Sequence, residues 1–320
     1  MKVLTLTPSP VIDVHFSVKD IVRGRENTAD GRAEFAAGKG INISRALLRK
    51  GAGALSFALL GEEDSKRYLA LTERAGIPVR YVEVPGPMRE AVSLNCTGAG
   101  DETRICYRGF SALDRDAEKI CAMVLNECGE NDVVCVSGSL PRGVSTKPFV
   151  SLCRRAREKG AMTVVDSNSF SRCDIEAAMP WLIKPNAEEA GALTREDFSG
   201  IISTSGRGTR TVPFPDRLEK AVKSLTGISE NVIISLGGAG ALFASRGGEP
   251  FALPAVPIDR CYSSVGAGDN LIAGFIHYLL ERFDASENAA LPSGPLDKEL
   301  AFPALERGLS FAAEICSLPR

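Results

Sequence analysis

Short apolar runs rich in β-branched residues alternate along the chain with segments of helical periodicity. The runs are almost continuously apolar, which is typical of strands in a parallel sheet that is covered on both faces. The segments between them carry apolar residues at three- and four-residue steps, as helices packed on one face do. We predict strands at Val3–Thr7, Leu55–Leu60, Val133–Val136, Thr163–Asp166, Trp181–Lys184 and Val232–Leu236, and helices at Asp114–Cys128, Lys147–Lys159 and Asp216–Leu225. This alternation predicts a doubly wound α/β core with right-handed crossovers.

Two regions depart from this rhythm, from about residue 11 to 36 and from about 89 to 107. Apolar and polar residues alternate there, as in strands that bury only one face. In the second region the turn Gly98–Asp101 separates two such runs, which predicts a β-hairpin. We interpret these pieces as a small sheet inserted into a single domain that spans residues 1–320, where it serves as a lid or a dimer surface.

Composition and charge narrow the class of protein. The 320 residues include 38 Lys and Arg and 40 Asp and Glu, a formal net charge of −2, which argues against electrostatic binding to nucleic acid or a membrane surface. A hydrophobic content of 44% excludes a disordered chain. The nine cysteines are scattered without a CxxC pair, and no secretion signal or apolar span of about 18 residues occurs. We therefore expect a cytoplasmic enzyme, and interpret the polar stretches Gly200–Pro215 and Asp284–Lys298 as surface loops.

A glycine-rich turn at Ser263–Asp269 leads directly into an apolar helical segment. Such a turn presents free backbone N–H groups at the positive end of the helix dipole, and glycines let a phosphate approach them. Asp269 would lie in the first helical turn, where a carboxylate accepts the proton of an attacking hydroxyl. The alternative is a plain helix cap. The same four letters at Gly98–Asp101 lie between two strands, so only Asp269 is predicted to be catalytic.

A second glycine-containing motif, Gly38-Lys39-Gly40-Ile41-Asn42, opens an amphipathic helical segment. It is not a Walker A loop, because no glycine lies five residues before Gly38 and Gly40 stands where Ser or Thr is required. Exposed backbone at a helix start, with Asn42 in the first turn, suits close approach of a polar ligand.

Polar and glycine clusters follow four of the predicted strands: Ser137–Gly143, Asp166–Asn168, Lys184–Glu189 and Ser235–Gly240. The carboxyl ends of parallel strands meet at one edge of a sheet, which is where open α/β sheets bind ligands. The first strand is not followed by GxGxxG, which disfavours a dinucleotide-dependent dehydrogenase.

With these motifs in this order, the chain from Leu4 to about Leu280 resembles the ribokinase-like (PfkB) carbohydrate kinases, within their phosphosugar branch. Thr7–Asp13 resembles the amino-terminal signature of that family. The resemblance implies a Rossmann-like, mostly parallel sheet with a small β lid, and transfer of a phosphoryl group from ATP with Mg²⁺ to a sugar phosphate. It also allows a homodimer through the lid, with neither nucleic acid nor a membrane as partner.

The resemblance implies a full set of site residues, in which Asp269 and the two glycine-rich motifs already stand out from the residue patterns. It implies catalysis by Asp269, Gly266, Ala267 and Gly268; substrate binding by Asp13, Gly38, Lys39, Gly40, Asn42, Arg89, Ser139 and Arg142; ATP binding by Lys184, Asn186, Ser235, Gly237, Gly238, Gly240 and Gly268; and magnesium binding by Glu189 and Asn186.

The expected acceptor is fructose 1-phosphate, converted to fructose 1,6-bisphosphate, with tagatose 6-phosphate and fructose 6-phosphate as alternatives. A nucleoside or an unphosphorylated sugar would use the same anion hole, and a non-catalytic sugar- or nucleotide-binding protein is the alternative from a different class. The chain departs from the family pattern at three positions. Ala37 replaces a glycine, Thr28 replaces an arginine and Ser9 replaces an asparagine, and these changes bear on which sugar phosphate fits.

Overall fold

A computed structural model describes residues 1–96, 98, 101–198, 216–284 and 291–318. Its strands are β1 Val3–Thr7, β2 Val11–Val18, β3 Gly31–Ala37, β4 Ala54–Gly61, β5 Val79–Val84, β6 Arg89–Cys96, β7 Asp101–Tyr107, β8 Val133–Ser137, β9 Met162–Asp166, β10 Leu182–Ile183, β11 Asn231–Ser235, β12 Ala241–Ser245 and β13 Phe251–Leu253. Its helices are α1 Lys39–Arg49, α2 Ser65–Arg74, α3 Asp114–Glu127, α4 Lys147–Glu158, α5 Arg172–Ala178, α6 Ala187–Thr194, α7 Asp216–Leu225, α8 Ala267–Asp284 and α9 Lys298–Cys316, with a 3₁₀ turn at Gly237–Ala239.

Nine strands form the central sheet, in the order β13-β12-β11-β10-β9-β8-β1-β4-β5. The strands β11, β10, β9, β8, β1, β4 and β5 run parallel to one another. Strands β12 and β13 are added antiparallel at the β11 edge. Along β1 and β8, residues alternate between the two hydrophobic cores, so that Leu4 and Val134 pack on one face and Val3 and Val133 on the other. The prediction of a parallel sheet covered on both faces is therefore confirmed.

The predicted strands and helices are confirmed with small shifts in their ends. The run at Trp181–Lys184 gives only two strand residues, and Lys184 instead begins the loop into α6. The antiparallel strands β12 and β13 were not predicted, because a short apolar run does not reveal the direction of its strand. Gly240 makes the reversal before β12 possible: its φ is +104°, and a Cβ there would lie 2.0 Å from the carbonyl oxygen of Leu253.

Four strands form a second sheet, in the order β3-β2-β6-β7, which we call the lid sheet. Strands β2 and β6 are parallel, whereas β3 and β7 pair antiparallel with them. The predicted hairpin strands are paired through Cys96 and Asp101. Of its turn, Thr97, Ala99 and Gly100 lie outside the described residues, as do 200–215 and 285–290 of the two predicted loops.

Arg67 on α2 ties the lid sheet to the core. Its guanidinium donates to Glu90 of β6 at 2.7 Å and to Glu34 of β3, so one side chain holds two lid strands. Burial works to raise the pKa of Glu34, but Arg67 and Arg32 outweigh it and lower that pKa below its ordinary value. The topology places the start of α1 directly after β3, at the carboxyl end of β1. Among the described helices, none has the length and apolar character needed to cross a membrane.

Candidate active site

The Gly38-Lys39-Gly40 motif is packed against the end of β1. Gly38 has φ +132°, and a Cβ on it would lie 2.7 Å from Cγ2 of Thr7. A Cβ at Gly40 would lie 2.5 Å from the hydroxyl oxygen of the same threonine. Both glycines therefore let α1 start in contact with β1, in addition to the ligand role that the sequence predicts for them. This contact brings Lys39 and Asn42 to the crevice.

A cluster of buried charges lies where β9, β10 and α1 meet. The Lys39 ammonium donates to Oδ1 of Asp166 at 2.9 Å and lies 3.7 Å from the Glu189 carboxylate. The Lys184 ammonium lies 3.5 Å from the same Asp166 oxygen. Lys184 is 4% exposed and Asp166 is 1% exposed. Burial opposes the charge on Lys39, but Asp166 and Glu189 outweigh it and raise the pKa of Lys39 above its ordinary value.

Asp166 lies at the centre of this cluster, although the sequence analysis named it only as part of a strand-end cluster. Its second oxygen, Oδ2, is buried and has no hydrogen-bond partner among the described residues. A buried carboxylate oxygen without a partner is costly in a folded protein, and such atoms mark sites that await a ligand, an ion or water. The signal available in the sequence was the position of Asp166 at the carboxyl end of a fully buried strand.

Asp269 lies buried in the first turn of α8, where the sequence predicts the catalytic base. Its Oδ2 accepts a hydrogen bond of 2.7 Å from the Asn42 amide. Burial, together with the nearby negative charge of Asp166, raises the pKa of Asp269 to about 6, while Asn42, Lys39 and Lys184 oppose that rise. A carboxylate with this pKa is mostly ionised at neutral pH and is a stronger base than an exposed one.

The predicted anion cradle lies at the start of α8. Gly266 has φ +81°, and its carbonyl accepts from the backbone and the side-chain amide of Asn270, both at 2.9 Å. A Cβ at Gly268 would lie 3.1 Å from the Lys184 ammonium, so this cation lies against the first helical turn. The first N–H groups of a helix lack intrahelical acceptors and attract negative charge. An anion placed here would be attracted by both the helix terminus and the Lys184 ammonium.

Asn186 and Glu189 form a capping box at the start of α6. The Asn186 side chain accepts from the Glu189 backbone at 2.8 Å, and Glu189 Oε2 accepts from the Asn186 backbone at 2.9 Å. The predicted magnesium pair thus has a structural role, and only Oε1 of Glu189 is turned toward Lys39. Groups of three or more His, Cys, Asp or Glu side chains suited to a metal ion do not occur in the described part of the chain.

The predicted nucleotide loop borders this helix start. Ser235 forms a β-bridge with Asn186, and the 3₁₀ turn that follows exposes Gly237 and Gly238. Gly237 has φ +56°, and no atom would lie within 4 Å of a Cβ there, so the space above the turn is open. The exposed backbone of this turn suits a phosphate or a ribose.

The predicted substrate-binding residues Arg89 and Arg142 have different surroundings. Arg89 donates to the Ser139 hydroxyl at 3.1 Å, which joins the lid sheet to the loop after β8. Arg142 is exposed and donates to the carbonyl of Gly109 at 3.4 Å, away from the cluster around Asp166 and Asp269.

The predicted sugar contact Asp13 is buried in the lid sheet. Its Oδ1 accepts from Arg104 at 3.0 Å, and its Oδ2 lies 3.3 Å from Nε2 of His15. Sequence analysis did not find Arg104, because only the register of β2, β6 and β7 reveals that it lies on the face of Asp13 and His15.

Comparisons with known proteins identify the family of the chain. The family described as pfkB family carbohydrate kinase matches residues 9–294. The 1-phosphofructokinase of Escherichia coli strain K12 is 33% identical over 289 residues, which cover 90% of this chain and 86% of that protein. A tagatose-6-phosphate kinase of Staphylococcus epidermidis is 26% identical over 282 residues, which cover 88% of this chain and 86% of that protein.

Solved structures show the same fold. Phosphofructokinase-2 from Escherichia coli, in complex with substrates and products, superposes with a TM-score of 0.78 at 22% identity, over 98% of this chain and 94% of that one. Ribokinase from Giardia lamblia superposes with a TM-score of 0.72 at 19% identity, over 100% of this chain and 93% of that one. The ribokinase-like fold is therefore confirmed, and the match over residues 9–294 with a relative at 33% identity shows that the chain belongs to the pfkB family of carbohydrate kinases.

Proposed function

We propose that the protein transfers the γ-phosphoryl group of ATP to a hydroxyl of a sugar phosphate, with fructose 1-phosphate as acceptor and fructose 1,6-bisphosphate as product. The observation that carries this proposal is the buried Asp269 carboxylate at the start of α8, held by Asn42 and flanked by Lys39 and Lys184. The relatives named 1-phosphofructokinase support the choice of acceptor, and those named tagatose-6-phosphate kinase supply the alternative.

In the proposed reaction Asp269 accepts the proton of the acceptor hydroxyl. The hydroxyl oxygen bonds to the γ-phosphorus while the bond from that phosphorus to the β–γ bridging oxygen breaks, and ADP leaves with that electron pair. Asn42 occupies Oδ2 of Asp269, so Oδ1 is the oxygen that receives the proton. The backbone of Gly266–Gly268 and the Lys184 ammonium stabilise the negative charge of the transferring group.

For ATP, the proposal uses the exposed backbone of Gly237 and Gly238 with Ser235 and Gly240 around it, and Lys184 beside the phosphates. Mg²⁺ fits a donor set of this kind, because the ion keeps several waters and is bound by one or two carboxylates together with substrate phosphates. Glu189, with Asn186 fixing it, would hold the hydrated ion. When bound, Mg²⁺ would neutralise charge on the ATP phosphates.

For the acceptor phosphate, Arg89 is the proposed anchor, because its guanidinium lies at the junction of lid sheet and crevice beside Ser139. We expect an Arg89→Ala variant to raise KM for the phosphorylated acceptor about 10–100-fold, since hydrogen bonds to charged groups are worth about 1.5–3 kcal/mol. Arg80→Ala is the matched control, because Arg80 pairs with Glu127 on the far edge of the sheet.

The test measures ADP release with fructose 1-phosphate, fructose 6-phosphate, tagatose 6-phosphate, free fructose, ribose and adenosine. Turnover of one phosphosugar by the wild type, with KM raised by Arg89→Ala and unchanged by Arg80→Ala, supports the proposal. Turnover of an unphosphorylated acceptor alone would move the protein to a different branch of the family. If neither turnover nor ATP binding is found, the protein is a non-catalytic member.

We also propose that residues 1–320 form one domain with the lid sheet inserted, and that two chains associate through the lid. One face of β7 exposes Ile105 and Tyr107, with exposed fractions of 60% and 56%, beside the half-buried Val92 and Leu94 of β6. An apolar patch of this kind is a typical interface between copies. We expect sedimentation velocity to show a dimer that Ile105→Glu dissociates and Leu318→Glu does not, since Leu318 is exposed outside the lid. A wild-type monomer would contradict this proposal.

A further inference from the structure

Arg45 makes two hydrogen bonds that join separate parts of the molecule. Its Nη1 donates to Oδ1 of Asn42 at 2.8 Å, and its Nη2 donates to the carbonyl of Ala36. Ala36 lies at the end of β3, in the joint through which the lid sheet enters α1. The next carbonyl, of Ala37, accepts from the hydroxyl of the fully buried Tyr68 at 3.0 Å. Side chains of α1 and α2 therefore donate hydrogen bonds to two successive carbonyls, those of Ala36 and Ala37, where the lid sheet leads into α1.

The chemistry of the three partners decides how the Asn42 amide is oriented. A guanidinium only donates hydrogen bonds and an ionised carboxylate only accepts them. With Arg45 on one side and Asp269 on the other, Asn42 must present its oxygen to Arg45 and its NH₂ group to Asp269. If the guanidinium were absent, the Asn42 oxygen would lose this donor, and within this set only the hydrogen bond to Asp269 would orient the amide.

We infer that Arg45 is a positioning residue: it couples the joint between lid and core to the catalytic base by fixing the Asn42 amide that donates to Asp269. The catalytic consequence rests on the function proposed above. Arg45 acts through the predicted acceptor residue Asn42 and through the Ala36 carbonyl, to which its two guanidinium nitrogens donate.

The charged groups that face Asp269 come from three elements. Asp166 at the end of β9 raises its pKa, whereas Lys39 on α1 and Lys184 after β10 lower it, as does the hydrogen bond from Asn42. Loss of that hydrogen bond removes stabilisation of the ionised form, so the pKa of Asp269 rises. The free energy of a hydrogen bond to a charged group corresponds to a pKa shift of about one unit.

We expect Arg45→Gln to move the acid limb of the kcat/KM profile from about pH 6 to about pH 7. At pH 6 its kcat/KM would then be about fivefold below wild type, whereas at pH 8 the difference from ionisation would be less than about twofold. Arg49→Gln is the matched control, since Arg49 lies one turn further along α1 and is exposed. It removes the same charge and should leave the acid limb in place.

A double-mutant cycle separates the route through Asn42 from a general effect of charge. In an Asn42→Ala background the amide is already absent, so Arg45→Gln should produce no further shift of the Asp269 titration. The titration is followed by NMR of ¹³C-labelled aspartate carboxyls, assigned with Asp269→Asn, and this measurement does not require turnover. Failure of the proposed function would therefore leave the result for Arg45 intact.

Two results would overturn the inference: an unchanged Asp269 titration in Arg45→Gln, or a shift of equal size in the Asn42→Ala background. If Arg45→Gln does not fold, Arg45→Lys makes the same comparison, because an ammonium lacks the planar fork that reaches both acceptors. It keeps the charge and is expected to give a shift smaller than that of the glutamine variant. No shift in folded Arg45→Lys, when Arg45→Gln cannot be made, would equally overturn the inference.

Discussion

An Asp269→Asn variant is expected to lose about 10²–10⁴-fold in kcat for the sugar phosphate, because an amide cannot accept the proton of the attacking hydroxyl. The substitution keeps the shape of the side chain, and the Asn42 amide can still donate to the new carbonyl oxygen. KM for ATP should therefore change little, and steady-state kinetics with both substrates varied would show the split between kcat and KM. Full activity in this variant would exclude Asp269 as the base.

The same variant is expected to be more stable than wild type at pH 7.5. Burial holds the pKa of Asp269 at about 6 in the folded chain, against an ordinary value of 3.8, so the folded state binds this proton more tightly than the unfolded state. The ionised carboxylate therefore costs folding free energy, and this cost develops as pH rises from 3.8 and is complete above 6. This pKa difference of about two units corresponds to a cost of about 2–3 kcal/mol in the free energy of folding.

Urea unfolding at pH 7.5 and pH 4 measures this difference. The gain in unfolding free energy should be present at the higher pH and absent at the lower, and an equal gain at both would show that charge is not its cause. Asp132→Asn is the matched control, because Asp132 is also buried but accepts backbone hydrogen bonds from Lys2 at 3.0 Å and Gly129 at 2.9 Å. That variant should lose stability and keep its kcat.

Lys39→Met is expected to lose both stability and activity. Lys39 is the closer of the two cations on Asp166, at 2.9 Å against 3.5 Å for Lys184, and it also balances Glu189. Removing one partner of a buried ion pair leaves an uncompensated charge. Because a third of the Lys39 side chain is exposed, we expect the cost at the lower end, about 2–3 kcal/mol at pH 7.5.

The pKa of Lys39 decides how its contribution to the free energy of unfolding depends on pH. Asp166 and Glu189 outweigh the effect of burial and raise its pKa above the ordinary 10.5, so its contribution to stability is fully present below that pH. Lys39 is also one of the cations that stabilise the ionised Asp269 and a predicted substrate-binding residue, so its loss should lower kcat/KM by about 10²–10³-fold, as for other charge-stabilising donors. Lys50→Met is the control, since Lys50 pairs with the exposed Glu314 at 2.8 Å. Equal losses in the two variants would contradict the role given to Lys39.

The amino-acid sequence by itself determined the order and type of most elements. Continuous apolar runs such as Val133–Val136 identify strands buried on both faces, and the alternation from residue 89 to 107 identifies the lid hairpin, because hydrophobic periodicity reports burial directly. The context of each Gly-Ala-Gly-Asp segment separated a helix start from a hairpin turn. The sequence thus placed Asp269 at a helix N-terminus without knowledge of any distant contact.

Only the tertiary structure decided which charges meet. Asn42 and Asp269 are 227 residues apart, and Lys39 and Asp166 are 127 apart, so their pairing depends on strand order and on helices that begin at the same sheet edge. Periodicity carries no information about such pairs, since it describes one element at a time. For the same reason Arg45 remained unidentified: its importance comes from two partners, and one of them, the Ala36 carbonyl, is backbone that any residue would supply.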